Sequence, residues 1–229
     1  MNIKYILFDE INSTSKWAED HIDEFEGNVS IITKKQTDGI GRNNKKWVSP
    51  EGNLYMTTCT PIDKNNNIVS LPLIVSLSIV NALSEKFDTD KFKIKWPNDI
   101  ILNGKKVGGV LIKTVEKSNN YYAIIGIGIN LNEDITIKDR ILWPASSIKK
   151  ELNLEKKIDF IKIARKINRL MIINIQKLIS ESFTLFNEEY LNKLIFNKNE
   201  DINIKLDDET KNVKYKVCKS GSFCVNVSH

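Results

Sequence analysis

The stretch NDIILNGKKVGGVLIK (residues 98–113) decides the fold class, because it contains a β-hairpin signal that does not depend on the rest of the chain. Asn103 and Gly104 stand between two apolar-rich runs. Asn-Gly is the preferred centre of a two-residue type I′ turn, since both positions need a positive φ. A turn this short joins antiparallel strands, whereas parallel strands need a long crossover.

The same turn predicts which side chains face one another. Leu102 should lie opposite Lys105, Ile101 opposite Lys106, Ile100 opposite Val107, and Asp99 opposite Gly108. Because side chains alternate between the faces of a sheet, Asp99 and Lys106 should project from one face as diagonal neighbours. An exposed Lys–Asp pair is common and stabilises little. Gly108 and Gly109 favour a functional interpretation, since glycines weaken a strand unless something approaches closely.

Strands and helices are mixed along the rest of the chain. Strands are predicted at 3–10, 28–35, 53–61 (ended by Pro61), 91–96 and 121–130, and helices after a cap at Asn12, Ser13 or Thr14 and at 68–87, 156–179 and 182–194. The segment 68–87 is apolar nearly all round and should be a buried helix, with Pro72 in its first turn. This pattern favours an α+β fold over a doubly wound parallel sheet. Residues 200–229 alternate and predict a small β unit.

Composition limits the classes of function. The chain has 229 residues, of which 41% are hydrophobic, so it is long and apolar enough for a folded core. Lysine and arginine exceed aspartate and glutamate by 34 to 29. This mild excess suits an anionic small molecule or an acidic partner, but it does not by itself indicate nucleic acid.

Cysteines and apolar runs indicate the compartment. Three cysteines, Cys59, Cys218 and Cys224, form no C-x-x-C motif, so neither a disulfide framework nor a zinc site is expected. No signal peptide is expected ahead of the predicted strand at Ile3. No apolar run is expected to reach the roughly 20 residues of a membrane helix. A soluble, cytoplasmic protein is the expectation.

A glycine-rich, basic loop, TDGIGRNNKKW (37–47), suggests a binding site for an anion. Arg42, Lys45 and Lys46 follow two glycines, yet the loop is neither a P-loop nor a G-x-G-x-x-G motif. Its composition suits a mobile segment that orders over a ligand and excludes water. Together with 108–109 and 126–128, the glycines of 39–41 predict a shared cavity floor.

These segments resemble the biotin–protein ligase family, the biotin–[acetyl-CoA-carboxylase] ligases. The family motifs occur in family order over residues 3 to about 151: STS (13–15) in place of Ser-Thr-Asn, the loop 39–47 followed by SPEG (49–52), KWPND (95–99), a lysine before a glycine (Lys106), GIGIN (126–130) and PASSI (144–148). Three positions depart from the family. Ile40 replaces the first arginine of the loop, Asn44 replaces a glycine and Ser15 replaces an asparagine.

The resemblance implies a fold and an activity. The fold would be α+β, with a mixed, largely antiparallel central sheet and flanking helices like those of class II aminoacyl-tRNA synthetases and biotin ligases. A catalytic domain at 1–195 would be followed by a shortened SH3-like β domain at 196–229. Enzymes similar to this one use MgATP to convert biotin to biotinyl-5′-AMP. They then transfer biotin to a lysine of a biotin carboxyl carrier protein.

The resemblance also implies roles for individual residues. Arg42 and Lys106 would neutralise the carboxylate and the α-phosphate, and Asp99 would orient or deprotonate the acceptor lysine. Biotin would be bound by Ser13, Thr14, Gln36, Gly39, Ile40, Gly41, Trp47, Lys106, Gly109, Leu111 and Gly128. ATP would be bound by Arg42, Lys45, Asn130, Ala145 and Ser146, with Mg²⁺ carried by the nucleotide and Asn130 as its contact; Lys95 would only support the site. Trp47 is equally well explained as a plain core aromatic.

Three other functions stay open at this point. A lipoate– or octanoate–protein ligase would share the fold and the acyl-adenylate chemistry. A catalytically impaired biotin-binding protein is motivated by Ile40 and Asn44. Some relatives are also DNA-binding repressors, but the strand at Ile3 leaves no room for that module, so DNA binding is not expected. No membrane partner is expected, and a homodimer is left open because relatives often pair through sheet edges.

Overall fold

The computed structural model describes residues 2–63, 66–117, 120–134 and 144–196, together with the backbone of three strands between 201 and 226. The helices and strands follow in the order β1 (Ile3–Ile11), α1 (Thr14–Asp20), β2 (Asn28–Gln36), β3 (Leu54–Ile62), α2 (Leu71–Phe87), β4 (Phe92–Lys95), β5 (Asp99–Leu102), β6 (Lys105–Lys117), β7 (Asn120–Ile129), α3 (Ile148–Glu151), α4 (Phe160–Ser180), α5 (Asn187–Lys193), β8 (Asp201–Leu206), β9 (Glu209–Val217) and β10 (Phe223–Asn226). Short 3₁₀ turns precede α2 and α5.

Seven strands form the central sheet, in the order β1-β2-β3-β7-β6-β5-β4. Only the β1–β2 pair is parallel, and the other neighbours are antiparallel. The predicted α+β class with a mixed, largely antiparallel sheet is therefore confirmed. Strands β8–β10 form a second, three-stranded antiparallel sheet where a small β unit was predicted. Its SH3-like character and the domain boundary near 195 stay predictions.

Helices α2 and α4 cover one face of the sheet and supply the main core. Leu71, Ile74 and Leu77 of α2 are almost fully buried, and burying such a side chain stabilises the fold by about 1.5–3 kcal/mol. Helix α4 presents an apolar stripe, and its N-terminus is capped by Asp159, which accepts from Ile161 N at 3.0 Å. This cap explains why the helix begins at Phe160 and not at the predicted 156.

The expectation that no apolar run is long enough to cross a membrane is wrong by length and composition. Ile68–Phe87 spans 20 residues with a mean hydropathy of 1.7. Of that window, 67% is buried inside the fold. The segment is thus the core helix of a globular domain, as the prediction of a buried helix at 68–87 requires.

Helix α1 packs on the opposite face of the sheet. Its N-cap is Ser13, whose side-chain oxygen accepts from Lys16 N. Of the three residues predicted to cap this helix, Ser13 is therefore the one that does so. Ala18 packs on Val29, Ile31 and Cys59 in a second apolar cluster. Burial raises the pKa of the Cys59 thiol to about 12, so the thiol stays protonated at neutral pH and is a core group.

The hairpin forms as predicted at its turn but not along its whole length. Asn103 and Gly104 have φ of 50° and 75°, the values that a type I′ turn requires. Leu102 pairs with Lys105 and Ile101 with Lys106, but Ile100 then pairs with Gly108 and Asp99 with Gly109. The predicted pairs Ile100–Val107 and Asp99–Gly108 are therefore wrong.

The error comes from a β-bulge that places Val107 outside the ladder with β5. Val107 O accepts from Asn130 N at 2.8 Å, and Lys106 N donates to Pro144 O at 2.7 Å. Residues that follow β7 thus pair with the backbone groups of Lys106 and Val107 in β6. These partners are distant in sequence, so hairpin counting could not anticipate the bulge.

Pro61 does not end the third strand, which continues to Ile62. Cys59 is the last residue of β3 that pairs with β2, while Pro61 still pairs with Tyr122 of β7. Pro61 therefore lies where β3 has a strand neighbour on one side only, as prolines in strands usually do.

Candidate active site

A cavity of about 560 Å³ opens on the α1 face of the sheet, between the N-terminus of α1, the loop 40–48 and strands β5–β7. Its floor follows from two rows of paired residues. Asp99, Gly109 and Gly128 form one row, and Leu111, Gly126 and Thr57 form the next. Directly paired residues point to the same face, so three glycines adjoin beneath the cavity.

The predicted shared floor is therefore present for Gly109, Gly126 and Gly128. Gly108 is not part of it, because it pairs with Ile100, one residue along from Asp99. A Cβ on Gly108 would lie 3.0 Å from Gly128 O. This glycine permits close packing of strands rather than approach of a ligand.

The indole of Trp47 lies directly over the glycine floor. A Cβ on Gly128 would lie 2.5 Å from Trp47 Nε1, and one on Gly109 would lie 3.5 Å from the ring. Nε1 is buried and has no hydrogen-bond partner among the described residues. Lys106 Nζ stands 5.4 Å from the ring centroid, within range of a cation–π contact. Trp47 is thus part of the cavity wall and not a core aromatic.

One end of the cavity is polar and uncharged. Thr14 donates to Gln36 Oε1 from its backbone N at 2.9 Å and from its hydroxyl at 3.1 Å. Gln36 Nε2 donates to Ser49 Oγ at 2.9 Å, and Ser49 Oγ donates to Trp47 O at 2.9 Å. These bonds link the start of α1 to the glycine loop. Ser13, Thr14 and Gln36, predicted to act together, are brought together here.

The other end of the cavity is charged. Lys106 Nζ lies 2.6 Å from Asp99 Oδ1, and their side chains are 26% and 22% exposed. Arg42 Nη1 donates to Asn98 Oδ1 at 3.0 Å, and Asn98 Nδ2 donates to Val110 O at 2.6 Å. The hairpin thus holds the lysine and, through Asn98, the guanidinium of the glycine loop.

The loop 39–47 forms its own backbone contacts although Ile40 stands where the family has its first arginine. Ile40 forms an isolated β-bridge with Lys46, and Gly41 N donates to Lys45 O at 2.7 Å. Asn43 and Asn44 both have positive φ, 54° and 55°. Asparagine is among the non-glycine residues that adopt this region most readily. Asn44 can therefore take the backbone shape of the glycine that the family has there.

The predicted nucleotide residues lie beside Lys106. Asn130 Nδ2 donates to Ser146 O at 3.1 Å, while its buried Oδ1 has no partner among the described residues. Ala145 bridges to Lys106 and lines the cavity. Ser146 and Gly39 do not line it. Ser146 Oγ donates to Glu151 Oε1 at 2.6 Å, and the bare Cα of Gly39 leaves room for Ser49 Oγ.

Glu151 anchors this side of the site. Its side chain is 8% exposed and lies 2.8 Å from Lys105 Nζ. Burial alone would raise its pKa, but the hydrogen bonds from Lys105 and Ser146 outweigh burial and hold the pKa of the carboxyl below its ordinary value. Glu151 is therefore a stable anion that fixes Ser146 and the hairpin turn.

Several cavity residues were not among the predicted ones. The main ones are Ser15, Met56, Trp96, Asn98, Val110 and Ile127, with Asn43 and Val48 in the loop. Asn98 lies inside the motif 95–99, which was the available signal. Within the described residues, no group of three or more His, Cys, Asp or Glu could hold a metal ion.

Comparisons with known proteins identify the family of this chain. A sequence model of the Biotin/lipoate A/B protein ligase family matches residues 7–130. The bifunctional ligase/repressor BirA of Escherichia coli K12 is 33% identical over 124 residues, which are 53% of this chain and 38% of that protein. BirA of Bacillus subtilis is 36% identical over 138 residues, 56% of this chain and 40% of that protein. The chain thus spans well under half the length of these curated relatives.

Among solved structures, biotin protein ligase from Aquifex aeolicus in complex with biotin and ATP aligns with a TM-score of 0.78 at 26% identity. The alignment covers 98% of this chain and 96% of that chain. The enzyme from Leishmania major in complex with biotinyl-5-AMP aligns with a TM-score of 0.69 at 27% identity, covering 98% and 94%.

Proposed function

The chain belongs to the biotin/lipoate A/B protein ligase family, and from that premise we propose that it is a biotin–[acetyl-CoA-carboxylase] ligase. It converts biotin and ATP to biotinyl-5′-AMP and pyrophosphate, and then transfers biotin to a lysine of a biotin carboxyl carrier protein domain. The family match over residues 7–130 supports the chemistry class. The choice of biotin rests on the polar end of the cavity.

That end distinguishes a urea ring from a dithiolane or an alkyl chain. Ser13, Thr14 and Gln36 are held together as hydrogen-bonding groups around a largely buried space. A urea offers N–H donors and a carbonyl acceptor to such groups. A lipoyl or octanoyl tail offers neither and would leave the remaining hydrogens of Ser13 and Gln36 Nε2 and the remaining lone pair of Thr14 unpaired, which costs about 1–3 kcal/mol per group at most. This is the observation that carries the proposal over the lipoate alternative.

The charged end fits the first chemical step. A carboxylate oxygen of biotin attacks the α-phosphorus of ATP, and the bond to the pyrophosphate oxygen breaks. The two reacting anions repel, and in this proposal Lys106 and Arg42 neutralise both and hold them in line. Mg²⁺ would enter with ATP and neutralise its phosphates. Asn130 Oδ1 is the oxygen of this chain that could face that ion or the nucleotide, since it is buried and unpaired among the described residues.

The second step needs a neutral amine. The acceptor lysine attacks the acyl carbon of the mixed anhydride, AMP leaves, and the amine gives up a proton. Asp99, 2.6 Å from Lys106 Nζ, is in place to orient that amine or take its proton. The loop 39–47 and Trp47 would exclude water from the anhydride.

Departures from the family do not remove these parts. Ile40 joins the loop through its backbone bridge, and Asn44 adopts the left-handed backbone that its position requires. Arg42 keeps an anchor at Asn98. These features support an active ligase over a catalytically impaired binding protein.

The proposal is tested by incubation with biotin, MgATP and a carrier domain, followed by a streptavidin blot. Labelling is expected with biotin and not when lipoate replaces it, as read by an anti-lipoyl blot. Biotin-dependent ATP–pyrophosphate exchange separates an active ligase from a binding protein. Biotin binding without exchange would contradict the proposal.

Partners beyond the carrier follow the same proposal. We place the protein in the cytoplasm, with neither DNA nor membrane as a partner. A gel shift at physiological salt should show no retardation of duplex DNA, and sedimentation tests for a homodimer.

A further inference from the structure

Thr57 stands behind the polar end of the cavity and contacts two of its residues. It lies in β3, is 0% exposed and does not line the cavity. Its hydroxyl donates to Thr14 Oγ1 at 2.8 Å and lies 3.0 Å from Ser15 Oγ. Ser15 and Thr14 both line the cavity. Thr57 therefore connects them from behind the wall.

The directions of these hydrogen bonds follow from one fixed donor. Thr14 N can only donate, so the Gln36 atom that faces it must be the oxygen. That oxygen can only accept, so the Thr14 hydroxyl also donates to it. A hydroxyl has a single hydrogen, so Thr57 must donate to Thr14. Ser15 must then donate to Thr57.

The result is a polarised chain of hydroxyls. Ser15 and Thr14 use their only hydrogens within the protein and present lone pairs to the cavity. Ser13 differs, because its oxygen accepts from Lys16 N and its hydrogen is left to donate. These three hydroxyls thus offer two acceptors and one donor. A cyclic urea, with two N–H groups and one carbonyl, is the complement.

Space for this arrangement is provided by Gly126. It pairs with Thr57 in the neighbouring strand, and a Cβ there would lie 2.7 Å from Ser15 Oγ. The strand pairing, the glycine and the short Ser15 side chain together let Ser15 reach Thr57.

We propose that Thr57 is a positioning residue that fixes the hydrogen-bond direction of Ser15 and Thr14 and thereby sets selectivity for a cyclic urea. The inference rests on the proposed function and deepens it. Without the Thr57 hydroxyl, Ser15 is free to turn its hydrogen toward the cavity. The Ser15 hydrogen then faces the hydrogen of a urea N–H, and two donors cannot form a hydrogen bond.

The test compares Thr57→Val, Thr57→Ser and wild type in biotin-dependent ATP–pyrophosphate exchange and in calorimetric titration with biotin. Valine keeps the shape and removes both hydrogen bonds. We expect KM and Kd for biotin to rise by about tenfold to a hundredfold, as for the loss of two buried hydrogen bonds. KM for ATP should change less than about twofold. Thr57→Ser should return biotin affinity to within about threefold of wild type.

Thr58→Val is the matched control. Thr58 is the next residue of the strand, is equally buried, and donates to Asn168 Oδ1 of α4 on the other face at 2.7 Å. Its replacement should lower the melting temperature and leave biotin affinity unchanged. The inference is overturned if Thr57→Val leaves biotin affinity unchanged or raises the KM values for biotin and ATP equally. It is also overturned if Thr58→Val loses as much biotin affinity as Thr57→Val, or if Thr57→Ser does not restore that affinity.

The same assays separate this inference from the proposed function. A wild-type protein that neither exchanges nor binds biotin overturns both. A wild-type protein that binds biotin without exchange overturns the ligase proposal, while calorimetry still decides the role of Thr57. An active wild type with an unaltered Thr57→Val variant overturns the inference alone.

Discussion

Lys106 and Asp99 meet across the β5–β6 hairpin, with Nζ 2.6 Å from Oδ1, although the strand pairing between them slips by one residue. The bulge at Val107 moves Asp99 opposite Gly109, which is a floor glycine. The pair therefore lies beside open space instead of beside another strand. A salt bridge placed this way can exchange its partner for a ligand anion or an incoming amine.

Lys106→Ala should slow the first step, the activation of biotin by ATP. Exchange of pyrophosphate into ATP should fall by about 100- to 1,000-fold, as for removal of one preorganised charge from a transition state. Biotin binding measured by calorimetry should weaken far less. Lys105→Ala is the control, because Lys105 pairs with Glu151 and lies outside the cavity wall; an equal loss there would contradict the role of Lys106.

Asp99→Asn should impair transfer more than activation. Asparagine keeps an oxygen for Lys106 but cannot take a proton from the acceptor lysine. Single-turnover transfer from preformed biotinyl-5′-AMP should slow by about 100-fold. Exchange should slow by less than about tenfold. Equal losses in the two steps, in this variant or in Asp99→Ala, would remove Asp99 from the transfer step.

Gly128→Ala should displace the Trp47 ring, because the new Cβ would lie 2.5 Å from Nε1. The Kd for biotin should rise at least about tenfold, since the ring forms part of the cavity wall. In a Trp47→Ala background the same glycine substitution should have less than about a twofold effect. Additive effects in the double variant would show that the glycine serves strand packing alone.

Glu151→Gln should change stability in acid. The folded-state pKa of Glu151 lies below the ordinary value of 4.5, so its ionised form stabilises the fold above pH 4.5. That contribution is lost as the pH falls through the lower folded value. Melting temperatures from pH 7 to pH 3 should therefore fall less steeply for the variant, which starts from a lower value at pH 7. Glu155→Gln, at an exposed carboxylate, should retain the wild-type slope.

Sequence reasoning succeeded where the signal was local. Asn103 and Gly104 both have positive φ. Few residue types tolerate that backbone conformation, so these two residues were enough to predict the turn. The buried helix at 68–87 followed from its composition. The grouping of Ser13, Thr14 and Gln36 came from motif resemblance. In the structure all three line one cavity, and Thr14 donates to Gln36.

Sequence reasoning failed where partners come from far along the chain. The hydrogen bond from Arg42 to Asn98 joins residues that are 56 positions apart, and it was not predicted. The hydroxyl of Ser146 donates to Glu151, a contact that no motif indicated, and binding of the nucleotide by Ser146 stays a prediction. No local pattern encodes which of several nearby groups a polar side chain chooses.

The amino-acid sequence by itself determined the hairpin, the alternation of strands and helices and the set of polar and charged residues that the site uses. These depend on backbone sterics and hydrophobic periodicity, which act within a few residues. Only the tertiary structure decided the bulge at Val107, the placement of Trp47 on bare glycines and the hydroxyl chain through Thr57. These depend on strands and loops tens of residues apart competing for the same hydrogen bonds and the same space, and that competition is resolved only when the whole sheet assembles.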